Sequence, residues 1–243
     1  MASTPRFLVA GDAALVVEFG DAIDPAINRR VRGLFLAADG ARLAGVRDLV
    51  PTYRSLLVCY DPLATTFGAL REGLSALEAR LDDTPLPPPR VVEIPTAYGG
   101  AFGPDLGFVA SHNGITEDEV VAVHTGTDYL VYMMGFSPGF TYLGGMSDRI
   151  AAPRLETPRT AIPAGSVGIA QTQTGIYPVE SPGGWRLIGR TPVSLFDPSR
   201  HPPVVVDAGD YIRFVAVTPG EYASILDAVR QGGWVPRSRD LTS

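Results

Sequence analysis

The residues best suited to chemistry lie in one stretch of the chain, residues 132–192, where glycine and proline recur every few positions. Its polar side chains include three arginines and their neighbours: Arg159, Arg186, Arg190, Gln171, Gln173 and Tyr177. The whole chain contains no lysine. A bound carboxylate or phosphate must therefore be held by arginine, by backbone N–H groups or by helix N-termini.

This set of side chains predicts recognition of an anionic group, because the planar guanidinium of arginine matches carboxylate and phosphate. We expect the chemistry to be positioning and electrostatic stabilisation. The candidate catalytic residues are Arg159, Arg190, Tyr177 and Gln173. For Arg190 a structural alternative stays open, in which it ties two loops together through an internal carboxylate such as Glu180.

Two glycine–serine motifs have competing interpretations. Residues 135–139 read G-F-S-P-G and match the nucleophile elbow of serine hydrolases. The elbow needs a backbone N–H immediately after the serine and then a helix, whereas Pro138 has no N–H and glycines follow, so the match argues against a hydrolase. Residues 164–168 predict a turn that presents the amides of Gly165, Ser166 and Val167 to an anion, or else a plain turn between strands.

Composition and charge restrict the class of protein. The chain has 45% hydrophobic and 19% charged residues and a net charge of -6, which is typical of a globular protein and argues against a nucleic-acid partner. No apolar run is long enough for a membrane helix and no signal sequence is visible, so we expect a cytoplasmic protein. The three histidines lack metal-ligand spacing, which predicts no metal site. Cys59 is expected to be a buried small hydrophobe.

The elements that must position these residues fall into two regions. Residues 6–20 predict a hairpin, followed by a helix over 25–39, strands over 46–50 and 55–60, and a helix over 67–81. This ββαββα pattern predicts a small α+β domain over residues 1–83. The proline-rich residues 84–89 predict a semi-rigid linker.

The second domain, residues 90–243, is predicted to be a closed β-barrel because short strands alternate with glycine and proline. The expected strands include 90–95, 128–135, 193–196, 204–206 and 211–217. The expected helices cover residues 104–112, 116–124 and 219–231. Thr116 and Glu119 form a capping box at the start of one helix, and Thr218 is the expected N-cap of another.

Three long motifs resemble one known family. They are G-F-S-P-G-F-T-Y-L-G-G-M, P-A-G-S-V-G-I-A-Q-T-Q-T-G-I-Y-P and S-P-G-G-W-R-L-I-G-R-T-P, joined by I-P-T-A-Y-G-G-A-F-G-P-D-L at 94–106. The family is that of allophanate hydrolase subunit 1, which includes the B-type subunit of 5-oxoprolinase, the sporulation kinase inhibitor KipI and one half of the carboxyltransferase domain of urea amidolyase. The resemblance implies a small α+β domain followed by a cyclophilin-like barrel.

The resemblance also implies a function. It predicts a subunit of an ATP-dependent amide or lactam hydrolase, with the opening of 5-oxoproline to glutamate as the leading expectation. ATP, with Mg, would be shared with a second subunit, which resembles allophanate hydrolase subunit 2 or the C-type subunit of 5-oxoprolinase, and a hetero-tetramer is compatible with this. The alternatives are a biotin-dependent carboxyltransferase half and a histidine-kinase inhibitor. We expect the isolated chain to be inactive.

The three motifs supply the candidate residues for binding substrate or nucleotide. In chain order these are Pro138, Gly139, Phe140, Pro163, Gly165, Ser166, Gly183, Gly184 and Trp185.

Overall fold

The computed structural model describes residues 4–81 and 85–241. The chain divides into two compact units, Met1–Pro87 and Pro88–Ser243. Asp83 and Thr84, where the predicted first domain ends and the predicted linker begins, lie outside the described residues.

The first unit has the ββαββα order that the sequence predicts. Its elements are β1 (Arg6–Val9), β2 (Ala14–Glu18), α1 (Pro25–Ala41), β3 (Val46–Pro51), β4 (Ser55–Tyr60) and α2 (Phe67–Glu78). The strands form an antiparallel sheet in the order β1-β2-β4-β3. Both helices bury apolar residues in a core shared with the sheet, formed around Leu15, Val17, Leu34, Leu56, Val58 and Leu74.

In this unit α1 begins with a side-chain cap, whereas Cys59 departs from its predicted burial. The Asp24 side chain accepts hydrogen bonds from the amides of Ala26 (2.8 Å) and Ile27 (3.1 Å), which caps α1. Cys59 is only half-buried, so the prediction of burial is wrong. Side chains alternate along a strand, and Val58 and Tyr60 occupy the buried face of β4, which leaves Cys59 on the opposite face.

The second unit contains ten further strands and three further α-helices within the described residues. The strands are β5 (Arg90–Tyr98), β6 (Asp128–Met134), β7 (Thr141–Gly144), β8 (Arg159–Ile162), β9 (Ser166–Ala170), β10 (Gln173–Ile176), β11 (Ser181–Gly183), β12 (Arg186–Arg190), β13 (Tyr211–Ala216) and β14 (Ser238–Asp240). The helices are α3 (Leu106–Asn113), α4 (Glu117–Thr125) and α5 (Pro219–Arg230).

The main sheet of this unit forms a nearly closed barrel. Its strands follow the order β10-β9-β12-β5-β13-β6-β7, with β14 added to β5. Only the β5–β13 pair is parallel among these ladders. The first and last strands approach each other, because a Cβ placed on Gly175 of β10 would lie 3.4 Å from Thr141 O of β7. The predicted α+β fold with a C-terminal barrel is confirmed.

Two predicted strands in this unit are wrong. Residues 193–196 and 204–206 form only a single bridge between Phe196 and Val204. Prolines at 192, 198, 202 and 203 flank both segments and cannot donate, so the pairing does not extend beyond this short contact. Arg200 holds this segment instead, donating to the carbonyls of Ser194, Leu195 and Pro203. Of the apolar residues that suggested strands, Val193, Leu195 and Val206 are buried in the barrel core.

The barrel core contains one ionisable network, centred on His124 of α4, which is fully buried. Thr174 Oγ1 donates to Gly168 O (3.1 Å), so its oxygen accepts from His124 Nε2 at 2.8 Å. His124 Nδ1 then accepts the hydroxyl proton of Tyr98 at 2.7 Å. Burial lowers the pKa of His124 to about 3. The imidazole is therefore neutral and structural, as the sequence predicts.

This network predicts an acid-sensitive barrel. The unfolded chain has a histidine pKa of about 6.5, so below that pH protons bind preferentially to the unfolded state and stability falls. Between pH 7.5 and pH 5 the free energy of unfolding should drop by about 2 kcal/mol on account of His124. Tryptophan fluorescence during urea unfolding measures this, since both tryptophans lie in the second unit.

The matched control for this prediction is His112, which is exposed on α3. The His112→Asn variant should keep the full pH dependence of the free energy of unfolding. The His124→Asn variant should be less stable at pH 7.5 and should lose most of this pH dependence. Equal pH slopes in the two variants would contradict the assignment.

Candidate functional site

One end of the barrel gathers most of the motif residues. Strand register places Arg190, the last residue of β12, opposite Ser166, the first residue of β9. Ile176, the last residue of β10, pairs with Val167. A Cβ on Gly139, in the connection between β6 and β7, would lie 3.4 Å from Pro178. The connections over residues 135–140, 163–165 and 177–178 therefore lie at the same end.

The loop over residues 135–140, here called the SPG loop, is a closed turn. Phe140 N donates to Ser137 O (3.0 Å), and Gly135 N donates to Phe140 O (3.2 Å). Pro138 and Gly139 occupy the central positions of the inner turn, and Gly139 has φ 82°. Proline followed by a left-handed glycine is the signature of a type II turn. No helix follows Ser137, which agrees with the rejection of a nucleophile elbow.

The SPG loop forms one wall of an open cleft of about 570 Å³. The remaining lining residues are Met134, Phe196, Val204 and Asp207. Phe136 has φ 64°, a left-handed conformation that bulky residues avoid, and its side chain is 68% exposed. Such strain costs about 1–3 kcal/mol and is concentrated at functional sites.

The same loop contains a hydroxyl without a hydrogen-bond partner. Ser137 Oγ is buried, and no partner for it is present among the described residues. A buried polar atom left unsatisfied costs about 1–3 kcal/mol. Two unfavourable features thus occur in adjacent residues at the edge of a cleft. This combination makes the cleft the candidate site.

Several predicted binding residues form a packed aromatic cluster under the loop. The ring of Phe140 lies 5.9 Å from that of Tyr177 and 6.0 Å from that of Trp185, in edge-to-face geometry. Burial raises the pKa of Tyr177, so its phenol stays protonated. Gly183 packs against the Tyr177 hydroxyl, where a larger residue would overlap it. The cluster supports the SPG loop and leaves these aromatic side chains largely enclosed.

Arg159 is engaged in hydrogen bonds within the fold. Its Nη2 atom donates to Asp105 Oδ1 at 3.0 Å, and Nη1 donates to Trp185 O at 3.4 Å. The other carboxylate oxygen of Asp105 accepts from Leu187 N at 2.7 Å. Arg159 and Asp105 therefore join β8, β12 and the start of α3, which is a structural role.

The other two arginines lie at opposite ends of β12. Arg186 and Arg190 are four residues apart, about 13 Å along an extended strand. Arg186 stacks 3.5 Å above the Phe108 ring. Arg190 donates from Nε to Ala164 O at 2.9 Å, and no ion pair to Glu180 is present among residues 4–81 and 85–241. The sequence presents the three arginines as one cluster, but of them only Arg190 lies at the end of the barrel with the SPG loop.

Two amides of the turn before β9 donate hydrogen bonds to acceptors within the fold. Gly165 N donates to Tyr177 O (2.7 Å), and Ser166 N donates to Pro163 O (3.2 Å). The Ser166 hydroxyl donates to the same Pro163 oxygen at 2.7 Å. The prediction of an anion-binding nest is therefore wrong for these two amides, because each already has an acceptor within the fold.

The remaining predicted residues are placed away from the cleft lining. Gln173 begins β10 and pairs with Ala170, at the other end of the barrel from Ile176. Gly184 O accepts a hydrogen bond from Leu155 N at 2.7 Å. Of the predicted binding residues, Pro138 and Gly139 line the cleft itself.

Sequence reasoning did not select most of the cleft residues as binding residues. Ser137 was considered only as a nucleophile, and Phe136, Phe196 and Asp207 were not selected at all. The S-P-G turn signature could have identified the loop. Nothing local indicates that Asp207 would face it, since Asp207 lies 70 positions along the chain from Ser137.

Metal and membrane-spanning elements can be assessed for the described part of the chain. No group of three or more histidine, cysteine or acidic residues there could hold a metal ion. None of its helices is both long and apolar enough to span a membrane.

The fold and cleft define a class: a small α+β unit joined to a nearly closed barrel that carries its cleft on connecting loops. A family model described as "Carboxyltransferase domain, subdomain C and D" matches residues 5–206. The chain therefore belongs to this family.

Curated relatives and solved structures agree with this assignment. The chain is 42% identical to the B-type subunit of 5-oxoprolinase from Bacillus subtilis (strain 168), covering 87% of this chain and 92% of the relative. It is 39% identical to the protein of the same name from Escherichia coli O157:H7, covering 88% of this chain and 97% of the relative. The urea amidolyase of K. lactis has a TM-score of 0.78 at 22% identity, covering 98% of this chain and 16% of that one, which shows the fold alone.

The geometry of the SPG loop predicts the effect of Gly139→Ala. A Cβ at this position would meet Phe196 Cβ at 2.7 Å in addition to straining the positive φ. We expect a loss of about 2–4 kcal/mol in stability of the barrel unit, from backbone strain and overpacking together. Urea unfolding followed by tryptophan fluorescence measures this loss.

Gly100→Ala isolates the backbone contribution. Gly100 has φ 51° and nothing within 4 Å of an added Cβ. We expect it to cost only about 1–2 kcal/mol. Equal losses in the two variants would show that Gly139 and Phe196 are not tightly packed.

Proposed function

We propose that this chain is one subunit of a 5-oxoprolinase, an enzyme that opens 5-oxoproline to glutamate with hydrolysis of ATP. The observation that carries the proposal is the 42% identity over nearly the full length of a relative named as the B-type subunit of 5-oxoprolinase. Because that relative is named as a subunit, its name also supports a second polypeptide. In this proposal the partner is the C-type subunit of 5-oxoprolinase, and a hetero-tetramer is one arrangement compatible with it.

The residues of the cleft support a divided active site. Binding a triphosphate requires cations or several free amides, and binding Mg²⁺ requires carboxylates beside the phosphates. The cleft lining contains no basic residue and one carboxylate, Asp207. These residues do not fit a complete nucleotide site. We therefore assign most of the contacts to ATP and Mg to the partner, with Arg190 as the cation that this chain offers at the same end of the barrel.

A biotin-dependent carboxyltransferase half is the second candidate. The specific observation in its favour is a 25% identity over 92% of this chain to the urea amidolyase of Lachancea kluyveri. The lysine that carries biotin would have to come from another polypeptide, because this chain has none.

The proposal predicts that activity depends on the partner. The purified chain should fold but show no 5-oxoproline-dependent release of phosphate from ATP. Adding the C-type subunit of 5-oxoprolinase should produce this activity. In parallel, the same complex should be given urea, bicarbonate, ATP, a biotinylated carrier and a biotin carboxylase that charges the carrier.

The outcomes separate the candidates. Turnover with 5-oxoproline by the complex alone supports the proposal, and turnover only with urea and the carrier supports the carboxyltransferase. Strong 5-oxoproline-dependent ATPase from the isolated chain would contradict a divided site.

The position of Arg190 predicts the effect of Arg190→Lys on the complex. Lysine keeps the charge but loses the planar pair of donors. We expect kcat/KM for 5-oxoproline to fall about tenfold to a hundredfold, which corresponds to about 1.5–3 kcal/mol of transition-state binding. The melting temperature is measured on the same sample, because Arg190 also donates to Ala164 O.

Arg186→Lys is the matched control, at the opposite end of β12 and stacked on Phe108. It should lower stability slightly and leave kcat/KM unchanged. If Arg190→Lys lowers only the melting temperature and the folded enzyme keeps normal kinetics, Arg190 does not belong to the site.

A further inference from the structure

We propose that the cleft beside the SPG loop binds the neutral lactam end of the substrate, with the Ser137 hydroxyl and the Asp207 carboxylate as its polar contacts. The substrate's own carboxylate would then lie outside the cleft, towards cations that the cleft lacks. This inference rests on the proposed function, because it takes 5-oxoproline as the substrate. It goes further by assigning an orientation and two binding residues.

The charge of the cleft argues against an anion inside it. The lining contains Asp207 and no basic side chain. Asp207 forms no ion pair within the described residues. The charge of Asp207 helps to raise the pKa of Arg90, but the Arg90 side chain is paired with Asp210 at 2.5 Å. A carboxylate placed beside Asp207 would be repelled and partly desolvated without a cation to compensate it.

A lactam group satisfies the polar atoms that the cleft presents. Its carbonyl oxygen accepts a hydrogen bond, and its N–H donates one. The Ser137 hydroxyl is buried without a partner, so when rotation about its Cα–Cβ bond turns it towards the cleft, a ligand carbonyl can accept its hydrogen bond without displacing an existing one. A carboxylate is an acceptor only, so Asp207 suits the lactam N–H.

The remaining lining suits the apolar part of a small ring. The apolar side chains in the lining are those of Met134, Phe136, Pro138, Phe196 and Val204. Phe136 is held largely exposed in a strained conformation at the cleft edge, so its ring is available for contact with a ligand. Binding sites for small molecules usually place a small number of polar groups within a mostly apolar lining.

The test uses the reconstituted complex and three probes. 2-Pyrrolidinone has the lactam but no carboxylate, N-methyl-2-pyrrolidinone also lacks the N–H, and cyclopentanecarboxylate has a ring and a carboxylate but neither a lactam nor a cationic nitrogen. Inhibition constants against 5-oxoproline are measured for each probe, and direct binding is followed by calorimetry. We expect 2-pyrrolidinone to compete and cyclopentanecarboxylate to compete at least tenfold less well.

Ser137→Ala should weaken 5-oxoproline and 2-pyrrolidinone by the same factor, about tenfold, because both present the same carbonyl. It should also leave the melting temperature of the chain unchanged or raised, since it removes an unsatisfied hydroxyl. Ser181→Ala is the matched control: Ser181 Oγ is likewise buried without a partner but does not line the cleft. This control should leave every binding constant unchanged.

Asp207→Asn should weaken 2-pyrrolidinone several-fold and leave N-methyl-2-pyrrolidinone unchanged, because only the first donates an N–H. Asp227→Asn, on the exposed face of α5, is its control. An increase in affinity for cyclopentanecarboxylate in Asp207→Asn would further support repulsion of anions by this carboxylate.

The outcomes distinguish this inference from the proposed function. If the complex hydrolyses 5-oxoproline but Ser137→Ala and Asp207→Asn leave all constants unchanged, the orientation is overturned and the proposed function stands. If the complex does not hydrolyse 5-oxoproline yet 2-pyrrolidinone binds and Ser137→Ala weakens it, the proposed function fails and the cleft remains a lactam site. Tighter binding of cyclopentanecarboxylate than of 2-pyrrolidinone by the unmodified complex would overturn the inference outright.

Discussion

The barrel depends on backbone packed directly against the backbone of β12. A Cβ on Gly103 would overlap Ile188 O of this strand, and a Cβ on Gly165 would overlap Thr191 O immediately after it. These contacts bring the connection before α3 and the turn before β9 onto the same strand. Strand β12 also pairs with β5 and β9. Because no other residue type lacks a Cβ, glycine at these two positions is what allows the layers to meet.

One ion pair fixes the elements that surround this strand. Asp105 accepts hydrogen bonds from Arg159 and from Leu187 N, so it connects three segments at once. Asp105 is largely buried, and a buried carboxylate without these donors would be strongly unfavourable. The arginine that sequence reasoning placed in the site is therefore used to compensate a charge within the fold. An arginine in a motif indicates that a cation is needed there, but only the structure shows whether it binds a ligand or pairs with a carboxylate of the fold.

The SPG loop, in contrast, contains unfavourable features that no other part of the described fold satisfies. The cluster of Phe140, Tyr177 and Trp185 beneath it is well packed, while the loop itself holds Phe136 in a strained conformation and Ser137 Oγ without a partner. The packed cluster offsets the local cost, so the loop can keep an arrangement that is unfavourable in the free protein. A ligand that supplies the missing hydrogen bond removes part of that cost on binding.

The sequence by itself determined the features that depend on near neighbours. The N-cap at Asp24, the capping box of Thr116 and Glu119, the ββαββα order and the S-P-G turn all follow from interactions within a few residues. The barrel followed from many short strands, and the family followed from long motifs. Residues 193–196 and 204–206 were mistaken for strands because packing against the core gives the same apolar pattern even where pairing is limited to one bridge.

Only the tertiary structure decided which distant residues meet. Arg159 and Asp105 are 54 positions apart, and the sequence carries no signal for their pairing. The register of β12 separates Arg186 from Arg190, and the closure of the SPG loop imposes φ 64° on Phe136. Asp207 reaches the cleft through an irregular segment shaped by prolines and Arg200. Local preferences specify elements, but contacts between them are set by the packing of the whole barrel, which is why the site could not be read from its motifs alone.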